Sequence, residues 1–266
     1  MSDTAEEVDL SEVLSTMDDV VRIDARGIYY RDLNNLIRAA VREGATAIEL
    51  VNINGQRYIG DGIQAKCRID IFGVPGNDLA AFMDGADLFV HNNAQDAVGN
   101  TLNSGRIVIE GDAGDVVGYG MRGGRIFVRG DVGYRVGIHM KEQPSRKPLL
   151  VIGGTAADFL GEYMAGGTLV VLGLNGRRPT TVGDYCGTGM HGGTMYLHGE
   201  IDPTHIATKF VSRRAAAEAD MKALEPALRE FCELFDHDLD ALMAEPFWVV
   251  GPSSHKPFAS NYAANP

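Results

Sequence analysis

Apolar residues in this chain come in short runs, three to five long, set between glycines and charged residues at nearly constant spacing. The segments MRGGRIFVRG from Met121, MAGGTLVVLG from Met164 and MHGGTMYLHG from Met190 share one template: Met, any residue, Gly-Gly, any residue, three apolar residues, any residue, Gly. Weaker copies, LNSGRIVIEG from Leu102 and MDGADLFVHN from Met83, precede them. Aligned on the first residue of each apolar run, Leu88, Ile107 and Ile126 are separated by steps of 19. The gap of 43 from Ile126 to Leu169 holds a hidden copy at Leu149, and Met195 follows. Stepping back by 19 from Leu88 reaches Ile69 and then Leu50. A second register of Gly99, Gly118, Gly137, Gly161 and Gly187 falls between consecutive runs.

Such runs are too short for helices and suit buried strands. A period of about 19 residues holds two or three strands with their turns, whereas a crossover helix needs about 30 residues per unit. Successive units must then stack equivalent strands in parallel, with glycines at the corners where the backbone turns or approaches its neighbour. The pattern predicts an all-β dominated right-handed parallel β-helix of about seven coils, roughly 19–26 residues each, with small helical caps at both ends. The paired corner glycines are Gly123–Gly124, Gly166–Gly167 and Gly192–Gly193. An antiparallel sandwich does not require one template at near-constant period.

The ends read differently. Leu33, Leu36, Ile37, Ala40 and Val41 recur at helical spacing between Tyr30 and Arg42, with Asp32 in the first turn and Gly44 as the stop. A strand is expected from Ala47. Leu224, Leu228, Phe231 and Phe235 predict a helix within 215–244 that Pro226 interrupts or starts, and a short helix over 238–243 stopped by Pro246. These helices are expected to cap the far end of the stack. The last 20 residues, rich in Pro and aromatics, are expected to be either disordered or an extended arm on another surface. The implied division is an acidic flexible N-terminus over 1–22, the β-helix with its capping helix over 23–212, and a helical cap with tail over 213–266.

Composition narrows the function. Glycine supplies 33 of 266 residues, well above the usual ~7%. The formal charge of −12 and pI near 5.0 argue against wrapping nucleic acid or docking on an anionic membrane. The acidic start has no basic leader, and no apolar stretch approaches the ~18–20 residues of a membrane span, so the expected compartment is the cytoplasm. Cys67, Cys186 and Cys232 are odd in number and widely spaced, as expected of buried reduced thiols.

Candidate chemistry is sparse. Gly118-Tyr119-Gly120 and Gly187-Thr188-Gly189 resemble phosphate-loop fragments, but each runs into a strand rather than opening a helix. The seven histidines (His91, His139, His191, His198, His205, His237 and His255) show no ligand spacing; they are read as surface or corner residues, His191 and His198 within one template copy. Cys186 has no basic neighbour in sequence to activate it. Asp112 and Asp131 recur at a step of 19 and are expected to stack, either as turn residues or as a cation site on a groove of an independent β-helix enzyme. The insertion 138–148 lengthens one coil and carries His139, Lys141, Glu142, Arg146 and Lys147; it is expected to bulge out, either as a solvated loop or as a partner-contact loop. No catalytic, metal or cofactor residue is assigned.

The stretches IDARGIYYRDLNNLIRAAVREGA, NGQRYIGDGI, VGYGMRGGRIFVRGDVGYRVGIHMKE, VIGGTAADFLGEYMAGG and GTGMHGG resemble the GXGXG domain that ends the large chain of bacterial glutamate synthase. The tail through PFWVVGP also resembles stand-alone archaeal-type versions of that domain. The resemblance implies a non-catalytic β-helix subunit that binds no cofactor itself. Its expected partners are a class II glutaminase and a synthase subunit carrying FMN and an iron–sulfur cluster, which together form glutamate from glutamine and 2-oxoglutarate. Equivalent modules occur in N-methylglutamate synthase and in the C subunit of formylmethanofuran dehydrogenase and the formyltransferase/hydrolase complex. NGQRYIGDGI and GIHMKE fit the glutamate synthase branch best.

Overall fold

A computed structural model describes residues 14–17 and 20–254. Its strands are β1 (Leu14–Met17), β2 (Val20–Asp24), β3 (Ala47–Asn54), β4 (Arg68–Val74), β5 (Asp84–Val90), β6 (Ser104–Ile109), β7 (Arg125–Val128), β8 (Leu149–Ile152), β9 (Ala165–Val171), β10 (Gly192–His198), β11 (Val211–Ala215) and β12 (Phe247–Pro252). Helices α1 (Tyr30–Arg42), α2 (Glu218–Phe235) and α3 (Leu239–Ala244) complete it with a 3-10 turn at Pro203–His205. All twelve strands form one sheet, ordered β1 to β10, then β12, then β11. From β2 to β10 every neighbour is parallel and consecutive, so the chain is a parallel β-solenoid. No helix among the described residues is long and apolar enough to cross a membrane.

The interior is a set of columns. Ile48, Ile69, Leu88, Ile107, Ile126, Leu150, Leu169 and Met195 are successive register partners, each essentially without solvent contact. A second column holds the template methionine: Met83, Leu102, Met121, Met140, Met164 and Met190 are all fully buried. No coil buries these groups alone; each is covered by the coils above and below.

Two register assignments differ from the spacing argument. The hidden copy aligns on Leu150, not Leu149. Because side chains alternate across a strand, that single residue changes the face: Leu150 points into the solenoid, while Leu149 packs outside. The first coil aligns on Ile48 rather than Leu50, a step of 21 to Ile69; both residues are buried, so parity survives.

Helix α1 forms where its spacing predicts. Leu33, Ile37 and Ala40 join the interior beside Ile23, Ile48 and Ile59, and Gly44 ends the helix with φ +93°. Strand β1 (14–17) and the first residues of β2 (20–22) fall within the segment 1–22 expected to be an acidic flexible lead-in.

The C-terminal helices do not cap the end. Leu224, Leu228, Phe231, Cys232 and Phe235 of α2 pack on Val108, Phe127, Val151, Val170 and Tyr196, the outward residues of β6 to β10. On β3 and β4 the same outward column holds Glu49 and Asp70 and needs no cover. Where the column turns apolar, an amphipathic helix must shield it; each large side chain so buried contributes about 1.5–3 kcal/mol. Arg106 and Arg125 reach Glu230 at 3.2 and 2.7 Å and pin the helix there. Pro226 neither starts nor interrupts α2 but lies exposed within it. The end of the stack is closed instead by β12, which pairs antiparallel with both β10 and β11. So the start of the last 20 residues, 247–252, is neither disordered nor an arm on another surface; residues 255–266, with His255, lie outside the described residues.

Candidate interaction surface

One corner of each coil is built from chained turns. The Tyr119 N–H donates to Val116 O and the Met121 N–H to Gly118 O. The third residue of each turn, Gly118 and Gly120, has positive φ (71° and 57°), as a type II turn requires. Successive N–H groups point opposite ways along the stack: Val116 to Tyr134 O of the next coil, Gly118 to Val98 O of the previous one, Gly120 to Ile138 O of the next. The phosphate-loop look of Gly118-Tyr119-Gly120 is therefore a structural corner whose N–H groups are already engaged.

Three columns of positive-φ residues line this corner. The middle one, with Gly99, Gly118, Gly137, Gly161 and Gly187, points inward; a Cβ at Gly161 would lie 2.6 Å from Met195 Sδ and one at Gly137 would overlap Leu169 Cδ1. The paired glycines serve close packing between coils. Gly124, Gly167 and Gly193 have positive φ, while a Cβ at Gly123 or Gly192 would strike Asn103 O or Ala165 O, and one at Gly166 the Glu142 side chain.

The outer two columns carry what the sequence reading missed. Phe82, His139 and Tyr163 take φ values of 58°, 56° and 52° at positions equivalent to Gly62, Gly120 and Gly189. Phe159 and Tyr185 do so in the other column, at 62° and 61°. A left-handed conformation costs a non-glycine residue about 1–2 kcal/mol. Yet Phe82, Tyr163 and Tyr185 stay 54%, 36% and 58% exposed, so full burial does not offset it. His139 stacks on Tyr163 (5.4 Å, 10°) with Tyr119 at its edge (6.0 Å). Phe159 stacks on Tyr185 (5.0 Å, 16°) under the Arg135 guanidinium. The available signal was an aromatic residue in the variable positions around each corner glycine.

The 138–148 insertion lies beside this corner. Lys141, Glu142, Arg146 and Lys147 are exposed, but the loop is tied back. Gln143 and Arg146 exchange backbone hydrogen bonds, Arg146 reaches Asp84 at 3.5 Å, and Glu142 accepts the Gly167 N–H at 3.0 Å. His139 belongs to the aromatic stack rather than to the loop tip.

The expected carboxylate stack exists, as a ladder of turn residues. Asp112 accepts the Asp131 N–H at 2.8 Å, and Asp131 accepts the Thr155 N–H at 2.7 Å. Burial opposes ionisation of Asp131, but hydrogen bonds from Thr155 and Asn175 hold its carboxyl below the ordinary aspartate value. Arg177 spans Asp112 (2.8 Å) and Asp131 (3.7 Å) beside a groove of about 340 Å³. A guanidinium thus occupies the place a cation would take. A parallel ladder runs through Asp96, Asp115 and Asp158, each accepting an N–H of the next coil.

The remaining candidates separate. Among the described residues no group of three or more His, Cys, Asp or Glu is arranged to hold a metal ion. His191 precedes β10 and His198 ends it; of the surface and corner places expected for them, His198 does not take the surface one but is buried at the strand's end, with Nδ1 2.8 Å from Leu172 O. His205 contacts Asp184 at 2.6 Å, and His237 stacks on Phe231. All three thiols are buried and free, and burial pushes Cys186 up to about 12.

The GXGXG motif family model matches residues 30–252. An uncharacterized protein of Methanocaldococcus jannaschii is 44% identical over 255 residues, covering 92% of this chain and 97% of its own length.

Proposed function

The chain belongs to the GXGXG motif family, and on that premise we propose that it is a non-catalytic assembly subunit of a glutamate-synthase-like amidotransferase complex. In this reading it holds a class II glutaminase against a synthase subunit with FMN and an iron–sulfur cluster, for glutamate formation from glutamine and 2-oxoglutarate in the cytoplasm. The chain contributes rigid surface, and the redox groups reside in its partner.

The observation that carries the reading is the extent of the motif. The match runs from α1 through β3 to β12, so the motif fold makes up most of this chain. Motif domains of this kind occur in glutamate synthase large chains, where glutaminase and synthase lie on the same polypeptide. The deep interior is filled with Ile, Leu, Val and Met, which suits a rigid spacer.

The test is mild purification from the native host, followed by mass spectrometry and a visible spectrum. Co-purification with a glutaminase-like chain and a yellow-brown flavin and iron–sulfur chain, with glutamate formed by the complex, is the expected result. Elution of the chain alone and colourless, at native concentration, overturns it. Supplying methylamine to the complex separates glutamate from N-methylglutamate formation.

A further inference from the structure

We propose that the GXGXG corner is the docking face for a partner protein that presents lysine and arginine side chains. The proposal deepens the assembly reading by naming the surface and the partner's chemistry, and it rests on that reading only for the partner's identity. Three observations converge on the corner.

The first is exposure. Among the described residues eight large apolar or aromatic side chains are exposed, and Phe82, Tyr119, Tyr134, Tyr163 and Tyr185 of these lie on this one corner. Tyrosine-rich patches are characteristic of protein interfaces.

The second is strain. Phe82, Tyr163 and Tyr185 sit at positive φ, a conformation that the coil imposes on every residue of the corner's two outer columns, and in three coils glycine (Gly62, Gly120, Gly189) fills the place that Phe82 and Tyr163 take. An exposed aromatic ring where glycine is unstrained carries a conformational cost that burial does not offset, and such positions point to function.

The third is charge. Across the seven turns of the corner, 57–63, 77–83, 96–102, 115–121, 134–140, 158–164 and 184–190, there are seven acidic side chains and two arginines, Arg57 and Arg135. Arg135 is paired with Glu162 at 3.0 Å. The corner is therefore net negative by five charges, in a chain whose net charge is −12.

These observations also select the occupant. Nucleic acid is repelled by the carboxylates. A sugar ring stacks on an open aromatic face, but here His139 and Tyr163, and Phe159 and Tyr185, stack on each other, and Arg135 lies over Phe159. A second copy of this corner brings like charges together. A basic protein surface satisfies both the carboxylates and the phenols.

The experiment is zero-length carbodiimide cross-linking of the tagged full chain at native level in its host, with cross-linked residues mapped by mass spectrometry. The expected products join Asp78, Asp96, Asp115 or Asp158 to lysines of a different protein. Two variants then separate the surface from the fold. Phe82→Gly combined with Tyr163→Gly and Tyr185→Gly removes the rings from positions where glycine is unstrained. Asp96→Asn combined with Asp115→Asn and Asp158→Asn removes charge but keeps the oxygen that accepts each N–H.

Both variants should keep the wild-type thermal midpoint to within a few degrees and lose the cross-linked protein at least tenfold from co-purification. Full retention of that protein by both folded variants overturns the proposal. So do cross-links only between copies of this chain, only to other faces, or to nothing. If the corner's partner is neither a glutaminase nor a flavin protein, the docking face stands and the glutamate synthase reading falls.

Discussion

Replacing Gly137 by alanine tests whether the motif glycines are required for their conformation or for their lack of volume. Gly137 has φ +71°, and an added Cβ would overlap Leu169 Cδ1 in the interior. Ala80 occupies the equivalent place in an earlier coil at φ +59°, so the backbone itself tolerates a Cβ there. The conformational cost is about 1–2 kcal/mol, and overpacking a dense core adds about 1–3 kcal/mol. Gly62 isolates the first contribution, since it has φ +64° with no atom within 4 Å of its would-be Cβ. For a domain of this size about 1 kcal/mol lowers the melting temperature by about 2–4 °C. Gly62→Ala should then fall by about 3–6 °C and Gly137→Ala by about 6–15 °C in scanning calorimetry. Adding Leu169→Val, which removes the colliding methyl, should recover part of the Gly137→Ala loss. Equal losses at Gly62 and Gly137 would falsify the volume argument and leave backbone conformation as the sole constraint.

Other consequences are as direct. Met121→Ala should destabilise by about 2–5 kcal/mol in denaturant unfolding by opening the buried methionine column, whereas Met121→Leu should cost under about 1.5 kcal/mol. Burial opposes charging of His91, but hydrogen bonds to Asp70 (2.9 Å) and Glu110 (2.8 Å) outweigh it and raise its pKa above the ordinary 6.5. That contribution is complete below 6.5 and is lost as pH climbs through the raised folded value. The wild-type melting temperature should accordingly drop more steeply above pH 6.5 than that of His91→Gln, and identical profiles would remove His91 from the account. Pro226 lacks the N–H of a helix interior, so Pro226→Ala should raise the melting temperature, by up to about 3 kcal/mol of stability. A decrease would mean that the proline shapes how α2 lies on β6 to β10.

The solenoid was legible because its signal is a period, and a stack repeats whatever a coil repeats. Face assignment was harder. LLVI is apolar at every position, and a one-residue ambiguity in such a run exchanges inside for outside. The same runs also concealed the place of α2: IVI, IFV, LVI and LVV are apolar on both faces because both are covered. Attributing all of them to the interior left α2 no place but an end. The Asp112–Asp131 stack followed from the step of 19, but its partner Arg177 comes from a later coil that no local pattern connects to it. The aromatic corner went unread for a different reason. Its residues precede the methionine that opens each copy of the template, around the corner glycine where residue type varies, and their left-handed backbone becomes visible only in three dimensions.

The way the stack is terminated decides whether the molecule stays finite. A parallel solenoid is a ready template for adding coils from other molecules, the geometry by which cross-β filaments elongate. Here β2 is covered by β1 and β10 by β12, and both covering strands run against the direction of the coils. An arriving coil meets a reversed strand in place of the repeating register. The six residues of β12, Phe247–Pro252, thus act less as a tail than as a polymerisation stop, and the length of the prism is written into a single chain.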